Sequence, residues 1–148
     1  MSEKKLKNIF FEGPISPAFI AESISKHATK KEIGAHSIFL GQVRNDIIQE
    51  QEVIAIEYTA YTDMANEIMG VIREEIFAAY ALTCMHIYHS LGIVKSGEIS
   101  LFVFTSSPHR KAAIEACEEV VERIKKELPV WGRELFKEGS VWKTNKEV

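Results

Sequence analysis

Residues 98–114 read EISLFVFTSSPHRKAAI. From Glu98 to Thr105 the chain is apolar, aromatic and β-branched, which predicts a strand. Ser107-Pro108 then carries the N-cap and first-position signature of a helix. Beyond it Ala113, Cys117, Val120, Val121, Ile124 and Leu128 recur at helical spacing, and Pro129 ends the pattern. A strand that feeds directly into an amphipathic helix is the unit around which the rest must pack.

Working outward, Ile9 to Glu12 reads as a short strand stopped by Gly13-Pro14. Ser16-Pro17 opens a helix to about Ala28. Ala35 to Val43 (AHSIFLGQV) is a mostly apolar strand. A polar loop follows from Arg44 to Glu52, and Val53 to Tyr61 (VIAIEYTAY) is another strand. Asp63 is placed to cap a long helix to about Tyr80, with Met64, Ile68, Ile72, Ile76 and Ala79 on its apolar stripe. Thr83 to His89 is a strand, with turns expected at Leu91-Gly92 and Ser96-Gly97. The last stretch, VWGRELFKEGSVWKTNKEV, is expected to be ordered to about Trp142 and to fray beyond about residue 143.

The resulting order is β-α-β-β-α-β-β-α plus a tail. Strands that follow one another without a helix between them imply antiparallel pairing. The expected class is therefore α+β, a mainly antiparallel sheet with packed helices, in a single domain over residues 1–148. No Gly-rich phosphate loop follows a strand, which argues against a dinucleotide fold.

Bulk properties narrow the function. The chain is long enough for one domain with a real core, and a net charge of −3 argues against nucleic acid or an anionic membrane as partner. No apolar run is long enough to span a bilayer. The start, MSEKKLKN, is charged and lacks an apolar leader core; with only two cysteines, a cytoplasmic location is expected.

Against that acidic background, His109, Arg110 and Lys111 fall in the first turn of the helix after Pro108. The partial positive charge of a helix start favours acidic residues there, so three basic groups oppose it. Two readings fit. The side chains extend into water, or an anion binds the helix start, where free N–H donors, a guanidinium and an imidazole converge.

A set of motifs bears on the choice. Thr105-Ser106-Ser107-Pro108-His109-Arg110, followed by Lys125, Pro129 and Trp131, resembles the large catalytic subunit of molybdopterin synthase, the MoaE family. Gly41-Gln42-Val43-Arg44 resembles its G-x-V-R at a strand end. Ile56-Glu57-Tyr58, Tyr61 and Met64 resemble its L-E-Y-x-x-Y-x-x-M. His89 and Gly92 sit where the family often has H-R-(I/L)-G. The ordered match covers roughly residues 8 to 142.

The resemblance implies a MoaE-like α/β-hammerhead fold. It also implies sulfur transfer from the C-terminal glycine thiocarboxylate of a small ubiquitin-like subunit, MoaD, to cyclic pyranopterin monophosphate, forming the molybdopterin dithiolene. No metal and no cofactor is expected in this step. The expected assembly is a homodimer within a heterotetramer. By position, Arg44, His109 and Arg110 match the family's pterin and phosphate contacts, with Gln42 and Val43 at the same strand end. Lys125 matches the lysine beside the thiocarboxylate, and Gly132, Arg133 and Glu134 match another substrate-contacting stretch. Two positions depart. Many members carry a second lysine directly after the tryptophan, where this chain has Gly132; Arg133, Lys126 or Lys137 are the alternative charges. Ser90 stands where the family's arginine often follows the strand histidine.

Lys125 and Lys126 both lie near a helix end that favours cations. Lys126 has Glu122 four residues earlier, an ordinary surface pair. Lys125 has Val121 there and borders the apolar stripe, so desolvation is expected to lower its pKa. Charge stabilisation, proton transfer and covalent attack are all open to such a lysine. Arg110 and Lys125 are about 22 Å apart along a straight helix. A pocket using both is expected to draw them from two protomers.

His86 and His89 are a candidate metal pair, but residues three apart on a strand face opposite sides. Cys84 and Cys117 read as buried structural thiols. Tyr58, Tyr61 and Phe39 read as core or interface, and Trp131 and Trp142 as packing the tail or lining a groove. Two rivals to the enzyme remain: a non-catalytic phosphorylated-pterin binding module, and a scaffold for a ubiquitin-like tail.

Overall fold

A computed structural model describes residues 6–137 and, as backbone, 139–143. Its elements are β1 (Phe10–Glu12), α1 (Pro17–Lys26) with a 3-10 turn at His27–Thr29, β2 (Ala35–Gln42), β3 (Ile47–Ile48), β4 (Gln51–Glu52), β5 (Ala55–Ala60), α2 (Thr62–Ala79), β6 (Cys84–Lys95), β7 (Ile99–Ser107), α3 (Arg110–Glu127), β8 (Val130–Phe136) and β9 (Gly139–Lys143).

β7 is buried from Ser100 to Ser107, and the sheet explains why. Leu101 and Val103 pack with Ala116, Cys117, Val120 and Ile124 of α3 and with Ile72 and Ile76 of α2. Phe102 and Phe104 pack on the other side with Ile15 and Ile20. A strand covered on both faces reads as a continuous apolar run, as this one does. Burying each of the large α3 side chains contributes about 1.5–3 kcal/mol.

The sheet order is β2-β7-β6-β5-β8-β9, with β1 on β6. All pairings are antiparallel except β1–β6, where Phe10–Glu12 runs parallel to His89–Leu91. The α+β expectation therefore holds.

Several local expectations do not hold. Leu91-Gly92 is no turn. β6 continues through it, pairing with β7 up to His89 and with β5 from Gly92 onward. Gly92 takes φ +81 at this change of partner, which only a residue without Cβ adopts freely. The polar loop contains a small hairpin, β3–β4, turned by Gln49 and Glu50, both at positive φ. Asp63 lies inside the first turn of α2 and Tyr61 is the cap residue, without a side-chain capping bond. The buried stripe of α2 is Ala65, Met69, Ile72 and Ile76, which leaves Met64 exposed. The tail forms two paired strands. The side chain of Trp142 and the expected fraying lie outside the described residues. Ser16 caps α1 as expected, its Oγ accepting from the Phe19 N–H at 3.1 Å.

Candidate functional site

β2 carries Gln42, Val43 and Arg44 to one end of the sheet. Gly41 pairs with Leu101 and Gln42 with Ile99, so Ser100 is left over in a bulge. Tyr58 donates its hydroxyl proton to Ser100 Oγ at 3.1 Å. Just past the bulge, Val43 is buried and clamped: its N–H donates to Glu98 O at 3.0 Å and its carbonyl accepts from Gly97 N at 2.8 Å. That clamp leaves Gln42 and Arg44 exposed on either side. Arg44 Nη2 lies 3.2 Å from Asp46 Oδ2, a surface pair.

Lys125 approaches the same end from α3. It is half-buried while Lys126 is exposed, the contrast expected from their neighbours. Its charge reaches His89, which is fully enclosed. Burial above all, and then Lys125, lower His89 from 6.5 to about 4, opposed by a bond to the Ser90 carbonyl. That carbonyl can only accept, so Nδ1 is the protonated nitrogen, at 2.8 Å. The neighbour of Lys125 is thus a neutral imidazole at pH 7. Tyr58 packs edge-on against it at 5.3 Å, and burial raises the Tyr58 phenol despite its bond to Ser100.

β8 completes this end. Gly132 pairs with Tyr58 and Arg133 with Glu57. Gly132 and Glu134 are buried, whereas Arg133 points to the other face and forms an ion pair with Glu57. Alternation along the strand therefore divides the expected substrate-contacting stretch between two faces. A Cβ on Gly132 would lie 2.8 Å from Ile56 Cγ2 and 3.5 Å from the Tyr58 ring. The space that a lysine stem would need is filled by Ile56.

His109 and Arg110 stand at the opposite end. β7 continues to Ser107, which pairs with Ala35, and the helix begins only at Arg110. Ser107 is not the cap: its hydroxyl donates to the His109 carbonyl. His109 is the cap residue, with no side-chain capping bond, and the first turn of α3 contains no acidic residue. His109, Arg110 and Lys111 are all exposed on the single chain. Seven residues of β2 separate Ala35 from Gln42, about 23 Å. The structure therefore carries Gln42, Val43, Arg44, Lys125, Gly132 and Glu134 to one end of the sheet, turns Arg133 to the other face of β8, and holds His109 and Arg110 at the opposite end.

His89, Tyr58 and Ser100 converge here; the sequence placed Tyr58 and His89 in family-like motifs without a role at the site and did not single out Ser100. Their convergence depends on β6 changing partners and on the Ser100 bulge, which no local pattern announces. His86 faces away from His89, as the strand period requires. A cavity of about 890 Å³ lies elsewhere, lined by Lys7, Asn66, Arg73, Phe77 and His86 among others. Cys117 is buried, and burial raises its thiol despite bonds from Ser37 and Thr105. Trp131 packs edge-on against exposed Tyr61 at 4.9 Å.

A family model described as MoaE protein matches residues 13–127. The molybdopterin synthase catalytic subunit of Oryza sativa is 37% identical over 121 residues, 82% of this chain and 62% of the rice protein. The chain thus spans less than two thirds of that relative's length. The subunit of the same name from Bacillus subtilis is also 37% identical, over 82% of this chain and 76% of its own. Among solved structures, molybdopterin synthase from Staphylococcus aureus superposes with a TM-score of 0.81 at 31% identity, covering 94% of this chain and 98% of that one.

Proposed function

The chain belongs to the MoaE family, and on that premise we propose that it is the catalytic subunit of a molybdopterin synthase. It takes sulfur from the C-terminal thiocarboxylate of a MoaD-like small subunit and delivers it to cyclic pyranopterin monophosphate in the cytoplasm. The working unit is a homodimer within a heterotetramer.

The observation that carries this reading is the grouping at one end of the sheet. Lys125 is half-buried there beside a neutral His89, with Gln42, Arg44 and β8 close by. A cation with a neutral, enclosed neighbour is suited to hold an incoming thiocarboxylate anion and to stabilise charge as sulfur leaves it. Phosphate recognition needs a second cationic group. Arg44 supplies part of it. His109, Arg110 and the open N–H groups of α3 supply the rest from a second copy, because within one chain they lie at the wrong end. Arg133 is a poor substitute for the second lysine, since Glu57 pairs with it on the far face of β8.

Reconstitution tests the reading. Purified protein, cyclic pyranopterin monophosphate and thiocarboxylated small subunit are mixed, and molybdopterin is detected as its oxidised fluorescent derivative. Product that disappears in Lys125→Ala supports the enzyme. Pterin binding without product refutes it in favour of the binding module, the reading that Gly132 favours. Tail binding without pterin binding favours the scaffold.

A further inference from the structure

On the sheet face opposite His89, three side chains converge that no part of the proposed reaction uses. Cys84 and His86 alternate with the core residues Met85 and Ile87 on β6, so they share a face. His27 reaches them from the 3-10 turn after α1. His27 Nε2 lies 3.0 Å from His86 Nε2, and one ring nitrogen of each histidine and Cys84 Sγ all fall within 4.8 Å of one another.

The imidazole of His27 is already set for ligation. Its Nδ1 lies 2.7 Å from the Ser23 carbonyl, which can only accept, so Nδ1 carries the proton in the neutral ring. The Nε2 lone pair then points into the cluster. An imidazole oriented by a backbone carbonyl through its other nitrogen is the arrangement that metal-binding histidines use. The spacing also fits. Tetrahedral Zn–N and Zn–S bonds of about 2.0 and 2.3 Å place ligand atoms about 3.3–3.6 Å apart. Closing the cluster on an ion needs a small spreading of the two rings and an approach by sulfur of up to about 1.3 Å. His86 also lines the 890 Å³ cavity, which gives a path to solvent.

We propose that His27, Cys84 and His86 bind a thiophilic late-transition-metal ion, Zn(II) or Cu(I), with one coordination position left to solvent. Two imidazoles and a thiolate select such ions over Mg(II) or Ca(II), which prefer oxygen. Binding is an exchange: the thiol proton goes to solvent, the proton that His86 Nε2 shares with His27 Nε2 moves to His86 Nδ1, the nitrogen–metal and sulfur–metal bonds form, and the Lys30 ammonium, now 3.0 Å from Cys84 Sγ, is displaced. Lys7, Lys30 and Arg73 surround the cluster closely enough for their charges to act on His86. Their presence penalises a dication more than a monocation, so Cu(I) is expected to bind more tightly than Zn(II).

The test uses the full chain, stripped with chelator, and does not involve sulfur transfer. Titration with Co(II) is expected to give a thiolate-to-cobalt charge-transfer band that saturates at one equivalent, and Zn(II) or Cu(I) is expected to bleach it. Cys84→Ser should abolish the band and Cys117→Ala should keep it. His27→Gln, at a half-exposed helix end where the fold is least at risk, should weaken binding at least about tenfold, as should His86→Gln. Absence of the band in the folded wild-type chain overturns the proposal. So does a band that survives Cys84→Ser, or affinity unchanged in both histidine variants.

Discussion

Replacing Gly132 by alanine is expected to destabilise the protein even though it adds only one methyl group. The new Cβ would sit 2.8 Å from Ile56 Cγ2, and Ile56 is buried, with Val43, Val53, Val94 and Phe136 in its cluster. The neighbour is a β-branched methyl close to the backbone, so it cannot swing aside as the tip of a long side chain would. Overpacking of this kind costs about 1–3 kcal/mol. Reduced freedom of the unfolded chain returns about 0.4–1 kcal/mol. The net expected loss is about 1–2 kcal/mol, and each kcal/mol lowers Tm by about 2–4 °C in a chain of this size. Urea unfolding at fixed protein concentration, followed by far-UV circular dichroism, gives the difference from the midpoint at constant slope. The decisive comparison is a double-mutant cycle. Ile56→Ala alone should cost about 2–5 kcal/mol by leaving a cavity. In that background Gly132→Ala should be neutral or stabilising, giving a coupling of about 1–3 kcal/mol. The consequence reaches function: Gly132→Lys should not raise turnover until Ile56 is made smaller. A Gly132→Ala protein as stable as the wild type, with additive effects in the cycle, would refute the steric account.

Mixing Lys125→Ala and Arg110→Ala chains should restore about a quarter of the wild-type sites, because random pairing makes half the dimers mixed and each has one intact composite site of two; no recovery in the molybdopterin assay would show that each chain builds its own site. Stability should fall as the solution is acidified from pH 6.5 towards about 4, since the unfolded chain takes up protons there that His89 in the folded chain refuses. The His89 contribution is on the order of 3 kcal/mol, His86 acts in the same direction, and the pH dependence measured by urea unfolding should flatten in His89→Gln. Ser16→Ala should cost about 1 kcal/mol by removing the cap on Phe19 N–H, read as a lower Tm.

The strands and helices that were legible either bury residues at a regular period or are apolar throughout. β7 is covered on both sides and reads as an apolar run, and α3 buries the stripe that its spacing outlines. β8 escaped notice because two of its inward positions are Gly132 and Glu134, so its alternation carries no apolar signature. The β3–β4 hairpin turns on Gln49 and Glu50, residues with no strong turn preference. Gly92 misled in the other direction, since its positive φ serves a change of strand partner rather than a reversal of the chain. Among site residues, Lys125 stood out because the stripe beside it is periodic. Its neighbour His89 and the His27–Cys84–His86 group depend on long-range contacts that no spacing records.

The same long-range geometry accounts for the spread of cationic groups between the two ends of α3. α3 separates its two functional ends by about 22 Å, too far for one pterin to bridge. On the proposed function, a single chain offers two incomplete half-sites: one with the half-buried Lys125 amine and exposed Arg44, the other with a helix start lacking a side-chain cap and three exposed basic side chains, His109, Arg110 and Lys111. Two-fold pairing of copies repeats both halves, and it can oppose the unlike ends twice over. In the proposed dimer, a bound anion offsets the cost of basic residues at the helix start. Weak anion binding by an isolated chain, and stronger binding by the dimer, follow from that arrangement.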